Sequence, residues 1–380
     1  IVVPPGRTLS GVGYSNSDDI TTVYTVSTTL KYTGTGNAIS INAAVGDVRA
    51  FKAVLRNFSL RSHTGTVGIY MKDVADVLLE SVDIEGRLAA GSAVGFTTAG
   101  IQIDSTFPSS ASITVHVHDV YVQYCDGDGI LTSGANNNNA ITLVASRIQG
   151  NTGWGIQGTS LSKQLSIIGN DIEGNTLGGI KRKADTALAI INNYFEYNTG
   201  PTSIIELDGA SGETTTDFFA GGVIIEGNVI QANAAITNGI KLGVVAYLNG
   251  AVVTGNTFVG SLTNGIYLFS VNNTFVAANT FFSTVTVPIL GPEFTLTGGN
   301  TVLRPGEYLS PRLVMTELLN PVTVANTVTE TTVLTYSLPA NTFVVATAFI
   351  RQSVKIRITG VYTNMAGSTT SFTVRLKYGG

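Results

Sequence analysis

The sequence predicts an all-β protein whose chain coils into a parallel β-helix. Only 12% of the 380 residues are charged and 43 are Gly, which is typical of short strands joined by many turns. A phrase with an Asn between two short apolar strands recurs along the chain, and an Ile preceded by Gly or Ser recurs in step with it. Recurrence at a period of about 20–50 residues indicates a solenoid or a propeller.

The turn asparagine marks each repeat, and its first two copies are 23 residues apart. The series is Asn170, Asn193, Asn228, Asn256, Asn279 and Asn300, with Ser146 one copy earlier. Each period holds three short alternating strands, around Ile180, at 165–168 and around Ile172, which we call the first, second and third strands. Such a period is too short for the four strands of a propeller blade. Three strands per coil predict a parallel β-helix with coils about 4.8 Å apart, so the Asn side chains stack and hydrogen-bond along the axis.

The second marker assigns the faces of each strand. Its members, taken as inward-facing, are Ile130, Ile156, Ile180, Ile204, Ile240 and Ile266. The outward positions beside them are mainly polar up to about residue 200 and mainly apolar afterwards. Between 234 and 303 the only charged residues are Lys241 and Glu293. We expect this neutral surface to be buried against copies of the same chain, although cover by the chain's own loops is the alternative.

Composition excludes several function classes. The net charge of −4 gives no basic footprint for nucleic acid, and no run of 18 apolar residues predicts a membrane span. A lone Cys125 excludes a disulfide framework. His116 and His118 lack a third ligand at suitable spacing, so neither a metal site nor a cofactor is predicted. Because the chain opens IVVPPGRTL without Met or a signal peptide, we expect a preceding segment to be missing.

The first candidate site is the basic stretch GIKRKAD at 179–185. Its Arg182 is predicted to point inwards and to stack on Glu206 of the next coil, while Lys181 and Lys183 point outwards. A polysaccharide lyase needs a cation to neutralise a uronate and a base to remove its α-proton, and Arg and Lys supply both. The alternative is a salt bridge at the edge of a coil beside two solvated lysines.

The second candidate site lies on the third strand. Glu173 and Glu196 occupy equal positions in adjacent coils, so their backbones are predicted to be about 5 Å apart, close to the carboxyl separation of retaining glycosidases. Asp171 lies beside them, and Tyr194 offers a ring on which a sugar can stack. The alternative is a solvated acidic face, since Arg147 next to Asp171 relieves the charge.

Two further stretches are candidates. The insertion DGASGETTTDFFAG begins at Asp208 and contributes Asp217, Phe218 and Phe219, residues that suit either the wall of a carbohydrate groove or a contact between subunits. Asp128, in the sequence DGDGI, is either an acid near a turn or part of an ordinary Asp-Gly turn.

The recurring G-N-x-I and G-I phrases, with the opening VVPPGRTLSGVG, resemble the right-handed parallel β-helix of the pectate-lyase-like superfamily. The resemblance covers about residues 1–304 and implies an asparagine ladder between the second and third strands, with a sugar groove along the first strand. Asp128 with Gly129 and Ile130 resembles the D-G-I of polygalacturonases. Thr132, however, stands where that family has its second acid.

Beyond Arg304 the coil repeat ends. The stretch TETTVLTYSLPAN within 328–343 resembles a C-terminal β module that follows the helices of phage tail spikes and tail fibres, where such modules hold homotrimers together. We therefore predict a β-helix at 1–304, a linker at 305–327 and a C-terminal trimerisation module, apparently incomplete, at 328–380.

Together these resemblances imply a tail-spike or tail-fibre protein of the virion tail, with a missing N-terminal region that binds other tail proteins. Its expected partner is a polysaccharide of the host cell surface, which it binds and depolymerises as a hydrolase or a lyase. One alternative is a non-catalytic receptor-binding protein or fibre shaft. A second alternative is a secreted enzyme resembling pectate lyases or polygalacturonases.

Overall fold

A computed structural model shows a chain of β-strands and turns, with no helix among the residues that it describes. Those residues are 1–13, 27–42, 49–88, 94–106, 112–134, 138–159, 164–183, 187–200, 202–208, 222–243, 248–272, 274–291 and 301–302. They all belong to the first of two units, Ile1–Pro321 and Val322–Gly380. The predicted linker and C-terminal module lie outside the described residues and stay predictions.

The strands form three parallel sheets that run along one coiled axis, and the coil is right-handed, so the predicted fold is confirmed. The first strands include Asn37–Asn42, Val67–Lys72, Ala99–Ser105, Asp128–Gly134, Trp154–Gly158, Gly178–Lys183, Ser203–Asp208 and Val285–Leu290. The second strands include Thr8–Ser10, Ala50–Phe51, Asn139–Val144, Leu165–Ile168, Leu188–Ile191, Val223–Glu226, Ala251–Thr254, Phe275–Ala277 and Thr301–Val302. The third strands include Thr29–Tyr32, Arg147–Gln149, Asp171–Glu173, Tyr194–Glu196 and Thr280–Phe281.

Longer strands pass from one sheet into the next. Val54–Ser62, Val74–Glu85 and Ile113–Gln123 continue from second into third strands, whereas Val229–Leu242 and Thr257–Leu268 continue from third into first strands. A separate short pair joins Leu248–Asn249 to Val271–Asn272. None of the described residues forms a helix long and apolar enough to cross a bilayer.

The core is a set of apolar columns along the axis. In the first-strand sheet, the paired and buried isoleucines are Ile39, Ile69, Ile101, Ile130, Ile156, Ile180, Ile205, Ile240, Ile266 and Ile289. Each methyl-bearing side chain rests on its own copy, so the interior has few gaps and leaves little room for a change in volume.

The predicted column is wrong at one coil. Ile180 pairs with Ile205 rather than with Ile204. In most coils a Gly precedes the column Ile, as Gly179 precedes Ile180, but here Ile204 takes the glycine's place and is itself fully buried. The sequence marker therefore selected the first of two inward-facing isoleucines. This shift moves Glu206 into the outward column.

The asparagine ladder is present as predicted. The Asn193 Oδ1 accepts hydrogen bonds from the backbone N–H and the side-chain Nδ2 of Asn170, both at 2.9 Å, and Asn193 donates in the same way to Asn228. The ladder continues through Asn256 to Asn279. It satisfies buried turn amides that would otherwise lack partners.

A second ladder lies at the corner between the third and first strands. Asn151 donates from its backbone N–H and from Nδ2 to the Oδ1 of Asn175, and Asn175 donates likewise to Asn198. The repeated phrase already holds these residues, because the copies that end at 151, 175 and 198 each end in a second Asn. The two ladders fix both corners that flank the third strand.

Candidate functional site

The outward face of the third strand carries a stripe of polar side chains, two for each coil. Register confirms the predicted columns. The stacked pairs are Asp83/Glu85, Tyr121/Gln123, Arg147/Gln149, Asp171/Glu173 and Tyr194/Glu196. Gln231 follows in the next coil. We call the coils from Arg147 onward the open half of the stripe, and those before it the covered half.

Arg147 links the first acids of the open half. Its Nε lies 2.9 Å from the Asp171 Oδ2, and its Nη2 lies 3.5 Å from the Glu173 Oε2. All three side chains are partly exposed. One guanidinium therefore holds two carboxylates of the neighbouring coil side by side, which confirms that Arg147 relieves the charge of Asp171.

Glu196 has amide partners instead of a cation. Its Oε1 accepts hydrogen bonds from the Gln231 Nε2 at 2.7 Å and from the Asn233 Nδ2 at 3.1 Å. The Tyr194 hydroxyl donates to the Gln231 Oε1 at 3.3 Å. Desolvation, together with the hydrogen bond and negative charge of Glu196, raises the pKa of Tyr194 to about 12. Tyr194 is therefore a neutral hydrogen-bonding phenol at physiological pH.

Glu173 and Glu196 are direct neighbours in register, as predicted. Adjacent parallel strands lie about 4.8 Å apart. Retaining glycosidases hold their two carboxyl groups about 5–5.5 Å apart. Register therefore confirms that the two residues are backbone neighbours, and their catalytic role stays a prediction.

The covered half differs, because its charges are buried. Asp83 is 0% and Glu85 is 1% exposed. Arg61 Nη2 lies 3.2 Å from the Glu85 Oε2 and 3.8 Å from the Asp83 Oδ2. Arg87 pairs with the Glu85 Oε1, and Gln123 donates to the Asp83 Oδ1 at 3.1 Å. Burial and then the charge of Glu85 raise the pKa of Asp83 to about 7, which Arg61 only partly opposes.

Arg87, which contributes to this cover, opens a chain excursion that leaves the third strand at Gly86. The two described ends of the excursion meet, since the Gly95 N–H donates to the Gly86 carbonyl oxygen. Beyond them, Asp126 N–H donates to the Gly95 carbonyl oxygen, and Phe96 is fully buried. An outward position in the column therefore does not make Asp83 or Glu85 accessible to solvent.

The basic stretch on the first strand is arranged differently from the prediction. Glu206 pairs in register with Lys181, and the Lys181 Nζ lies 3.1 Å from the Glu206 Oε1. The predicted stacking of Arg182 on Glu206 is therefore wrong, because Ile204 displaced the register by one residue. Lys183 faces Asp208. Lys181 also lies over the Trp154 ring, 5.5 Å from its centroid.

Arg182 points into the coil, as predicted, and is 2% exposed. Its Nη1 donates to the Thr132 Oγ1 at 2.9 Å, and Gly158 in the coil between them leaves the room, because a Cβ there would lie 2.7 Å from the guanidinium carbon. A polymer on the surface does not reach this guanidinium. We therefore do not assign to Arg182 the role of neutralising a uronate.

Asp128 begins a first strand and binds the next coil. Its Oδ1 accepts the backbone N–H of Trp154 at 2.7 Å. Desolvation raises the pKa of Asp128 to about 6, and the Trp154 hydrogen bond opposes that rise. These contacts favour the turn interpretation over that of a catalytic acid.

The sequence analysis missed one polar network on the first strand. The Asp104 Oδ2 accepts the Tyr70 hydroxyl at 2.7 Å, and its Oδ1 accepts the Ser133 hydroxyl at 3.1 Å. Gln102 donates to Ser133 at 2.9 Å. Burial and the hydrogen bond to Asp104 raise the pKa of Tyr70. No spacing motif marks this set, which shows only once the coils are in register.

The remaining predicted residues are placed as follows. Asp217, Phe218 and Phe219 lie outside the described residues. His116 and His118 are exposed on a second strand. Within the described ranges, no group of three or more His, Cys, Asp or Glu side chains is placed to hold a metal ion.

Comparison with known proteins gives a family match over part of the chain. Residues 100–282 match the family model described as "Right handed beta helix region". No curated protein sequence matches significantly.

Solved structures similar to this chain include the A-module of mannuronan C-5 epimerase AlgE6 from Azotobacter vinelandii, at 13% identity and a TM-score of 0.45, covering 78% of this chain and 86% of that chain. Tailspike protein 3 of bacteriophage CBA120 matches at 12% identity and a TM-score of 0.39, covering 74% of this chain and 52% of that chain. The catalytic unit of a GH87 alpha-1,3-glucanase from Streptomyces thermodiastaticus matches at 13% identity and a TM-score of 0.41, covering 79% of this chain and 62% of that chain. This chain thus spans about half of the tailspike, and such distant likenesses carry no argument about what it does.

Proposed function

We propose that this protein binds a host cell-surface polysaccharide along the open half of the third-strand stripe. The observation that carries the proposal is a row of stacked polar side chains in which Arg147 bonds Glu173, Glu173 lies beside Glu196 in register, and Gln231 bonds Glu196. Carboxylate, amide and guanidinium groups in fixed positions can exchange hydrogen bonds with sugar hydroxyls. Tyr194, 36% exposed in the same row, offers an apolar ring face.

The repeat geometry suits a repeating ligand. Consecutive coils present equivalent positions about 4.8 Å apart, and an extended concave or flat surface of this kind is typical of solenoid binding proteins. The strands below the row are pinned by two asparagine ladders, so the side chains are held before the ligand arrives. This preorganisation reduces the cost of binding.

A second step, hydrolysis, is favoured by the register of Glu173 and Glu196. We propose that this pair cleaves the bound polymer as a retaining glycosidase, with one carboxylate as nucleophile and the other as acid and base. In this assignment Asp171 and Arg147 orient Glu173, and the amides of Gln231 and Asn233 orient Glu196.

The tail-spike assignment is also part of this proposal. It is supported by the resemblance of the stretch within 328–343 to phage tail-spike modules, and by the nearly uncharged surface between 234 and 303. That surface includes the exposed side chains of Phe269, Phe282 and Leu290. Contact between three copies would bury these residues and multiply weak glycan contacts through avidity.

Binding and cleavage are tested together with polysaccharides from bacterial surfaces. Wild-type protein is expected to bind at least one polymer and to release reducing ends from it. Glu196→Gln should abolish release of reducing ends while the polymer still binds, because the amide keeps the shape but cannot act as acid, base or nucleophile.

Glu206→Gln, which alters the first strand, is the matched control and should leave turnover unchanged. Turnover that survives Glu196→Gln and Glu173→Gln would contradict the proposed hydrolysis. Light scattering that shows one chain per particle would contradict the trimer.

A further inference from the structure

The corner that follows the third strand contains an unusual pair of tyrosines. In four successive coils the corner residue is Tyr124, Gly150, Gly174 and Tyr197. Backbone hydrogen bonds align them, since each of the first three donates its N–H to the residue that precedes the next corner. All four have a left-handed backbone, with φ of 53°, 63°, 64° and 52°.

Glycine adopts this conformation without strain, but a tyrosine does not. The left-handed region costs an L-residue about 1–2 kcal/mol because Cβ approaches the following carbonyl oxygen. Strained residues of this kind cluster at functional sites, where the position of the side chain is needed. Tyr124 has one visible use, because Arg87 stacks on its ring with the guanidinium carbon 3.3 Å from the centroid. Tyr197 has no comparable ring partner among the described residues and is 52% exposed.

The two glycines form a floor between these rings. The Tyr124 ring lies over Gly150, where an added Cβ would come within 2.8 Å of it. Above Gly174 the space is open, because the nearest atoms to an added Cβ are backbone atoms of Gly150 at 3.6 and 3.7 Å. The surface over Gly174 is therefore open, with Tyr124 and Arg87 on one side along the axis and the corner residue Tyr197 in the next coil on the other, and we call it the trough.

Carboxylates line the polar side of this trough. The side chains of Glu173 and Glu196 are partly exposed beside it. Ionised carboxylate oxygens only accept hydrogen bonds, so a ligand that binds them must donate, as a sugar hydroxyl does.

Charge restricts the class of sugar. The carboxylates of Asp171, Glu173 and Glu196 face this surface, and Arg147 is the cation placed among them. The surface beside the trough is therefore net negative. A uronic acid would meet these like charges, because Arg87 and Arg147 are already paired with carboxylates of the chain.

We propose that the trough over Gly174 is the subsite for one neutral pyranose unit of the polymer. The apolar face of the sugar stacks on Tyr197, and its hydroxyls donate to the partly exposed carboxylates of Glu173 and Glu196. This inference rests on the proposed binding function, to which it adds a specificity residue and a substrate class. The sequence shows the change at this corner, because QGN at 149–151 and EGN at 173–175 are followed in the next coil by EYN at 196–198.

The test uses the full chain on an immobilised array of bacterial capsular and O-polysaccharides, divided into neutral and uronate-bearing members. Wild-type protein is expected to bind neutral members. For the polymer that binds best, Tyr197→Ala should weaken affinity about tenfold, the loss of one aromatic stacking contact. Tyr197→Phe should stay within about twofold, because the ring alone is needed.

Two controls separate binding from folding. Phe51→Ala removes an aromatic that is 48% exposed on an early coil, and it should leave affinity unchanged. Tyr197→Gly should weaken binding like Tyr197→Ala while its melting temperature does not fall, since Gly relieves the left-handed strain.

Each remaining outcome is decisive. Binding of a neutral polymer that Tyr197→Ala leaves intact overturns the subsite but not the proposed function. Binding confined to uronate-bearing or free-amine polymers overturns the substrate class. Absence of binding to every member overturns the proposed function itself.

Discussion

The covered and open halves of the third-strand stripe have similar residues in the same columns but opposite surroundings. Asp83 and Glu85 are buried with Arg61, and Arg87 pairs with Glu85 as well. Asp171 and Glu173 share Arg147 at the surface. The column thus determines which way a side chain points, while contacts with other residues of the same chain determine whether water reaches it.

The difference has energetic consequences. A carboxylate buried with its partner is strongly destabilised when the partner is lost, whereas an exposed ion pair contributes little. We therefore assign a structural role to the covered charges and a ligand-facing role to the open ones. Equivalent substitutions in the two halves test this assignment.

The largest effect is expected from Glu85→Ala. It leaves Arg61 and Arg87 without their shared carboxylate in a buried site, which should lower the free energy of unfolding by about 3–5 kcal/mol. Glu173→Ala in the open half is the matched variant and should cost no more than about 1 kcal/mol. Denaturant unfolding of both variants measures the contrast, and equal losses would mean that cover does not distinguish the halves.

The next effect concerns pH. The pKa of Asp83 is about 7 in the folded protein against an ordinary 3.8, so the folded state holds an extra proton between these values. Because the folded state binds this proton more tightly, its stabilisation is fully present below about pH 4 and is lost as pH rises through about 7. The free energy of unfolding should fall by about 2–4 kcal/mol over this range.

Asp83→Asn should remove that slope, because an amide does not titrate. Thermal unfolding of wild type and variant at pH 5 and pH 8 checks the prediction. Relative to wild type, the variant should be more stable at pH 8 than it is at pH 5. A constant difference between the two proteins across this range would refute the assignment of the slope to Asp83.

The smallest effect on stability is expected from Arg147→Ala. Its ion pairs with Asp171 and Glu173 are partly exposed, so their loss should cost less than about 1 kcal/mol. Glycan affinity should nevertheless fall, because two adjacent carboxylates then repel each other and lose their orientation. Parallel melting and binding measurements would separate the two readouts, and unaltered affinity would contradict a ligand-facing role.

Periodicity explains how much of this molecule was predictable. The asparagine ladder, the third-strand columns and the inward place of Arg182 all follow from coils that lie in register. The prediction failed where one coil departs from the pattern, since Ile204 occupies a position that holds Gly in most coils. A repeat marker cannot separate two adjacent residues that are both buried.

Burial and corner conformation were harder to predict. The strand pattern gives the outward direction of Asp83 and Glu85 but not their burial, which depends on contacts with Arg61, Arg87 and Gln123. Tyr197 was overlooked because a strand pattern describes inward and outward faces and not the turn beyond them. Its φ of 52° became visible only in the folded backbone.

The most direct test is a crystal structure of the protein soaked with an oligosaccharide cut from its best-binding polymer. Our account predicts sugar density across the third-strand face, with one ring on Tyr197 and hydroxyls beside Glu173 and Glu196. Sugar density on the first strand, between Lys181 and Lys241, would contradict it.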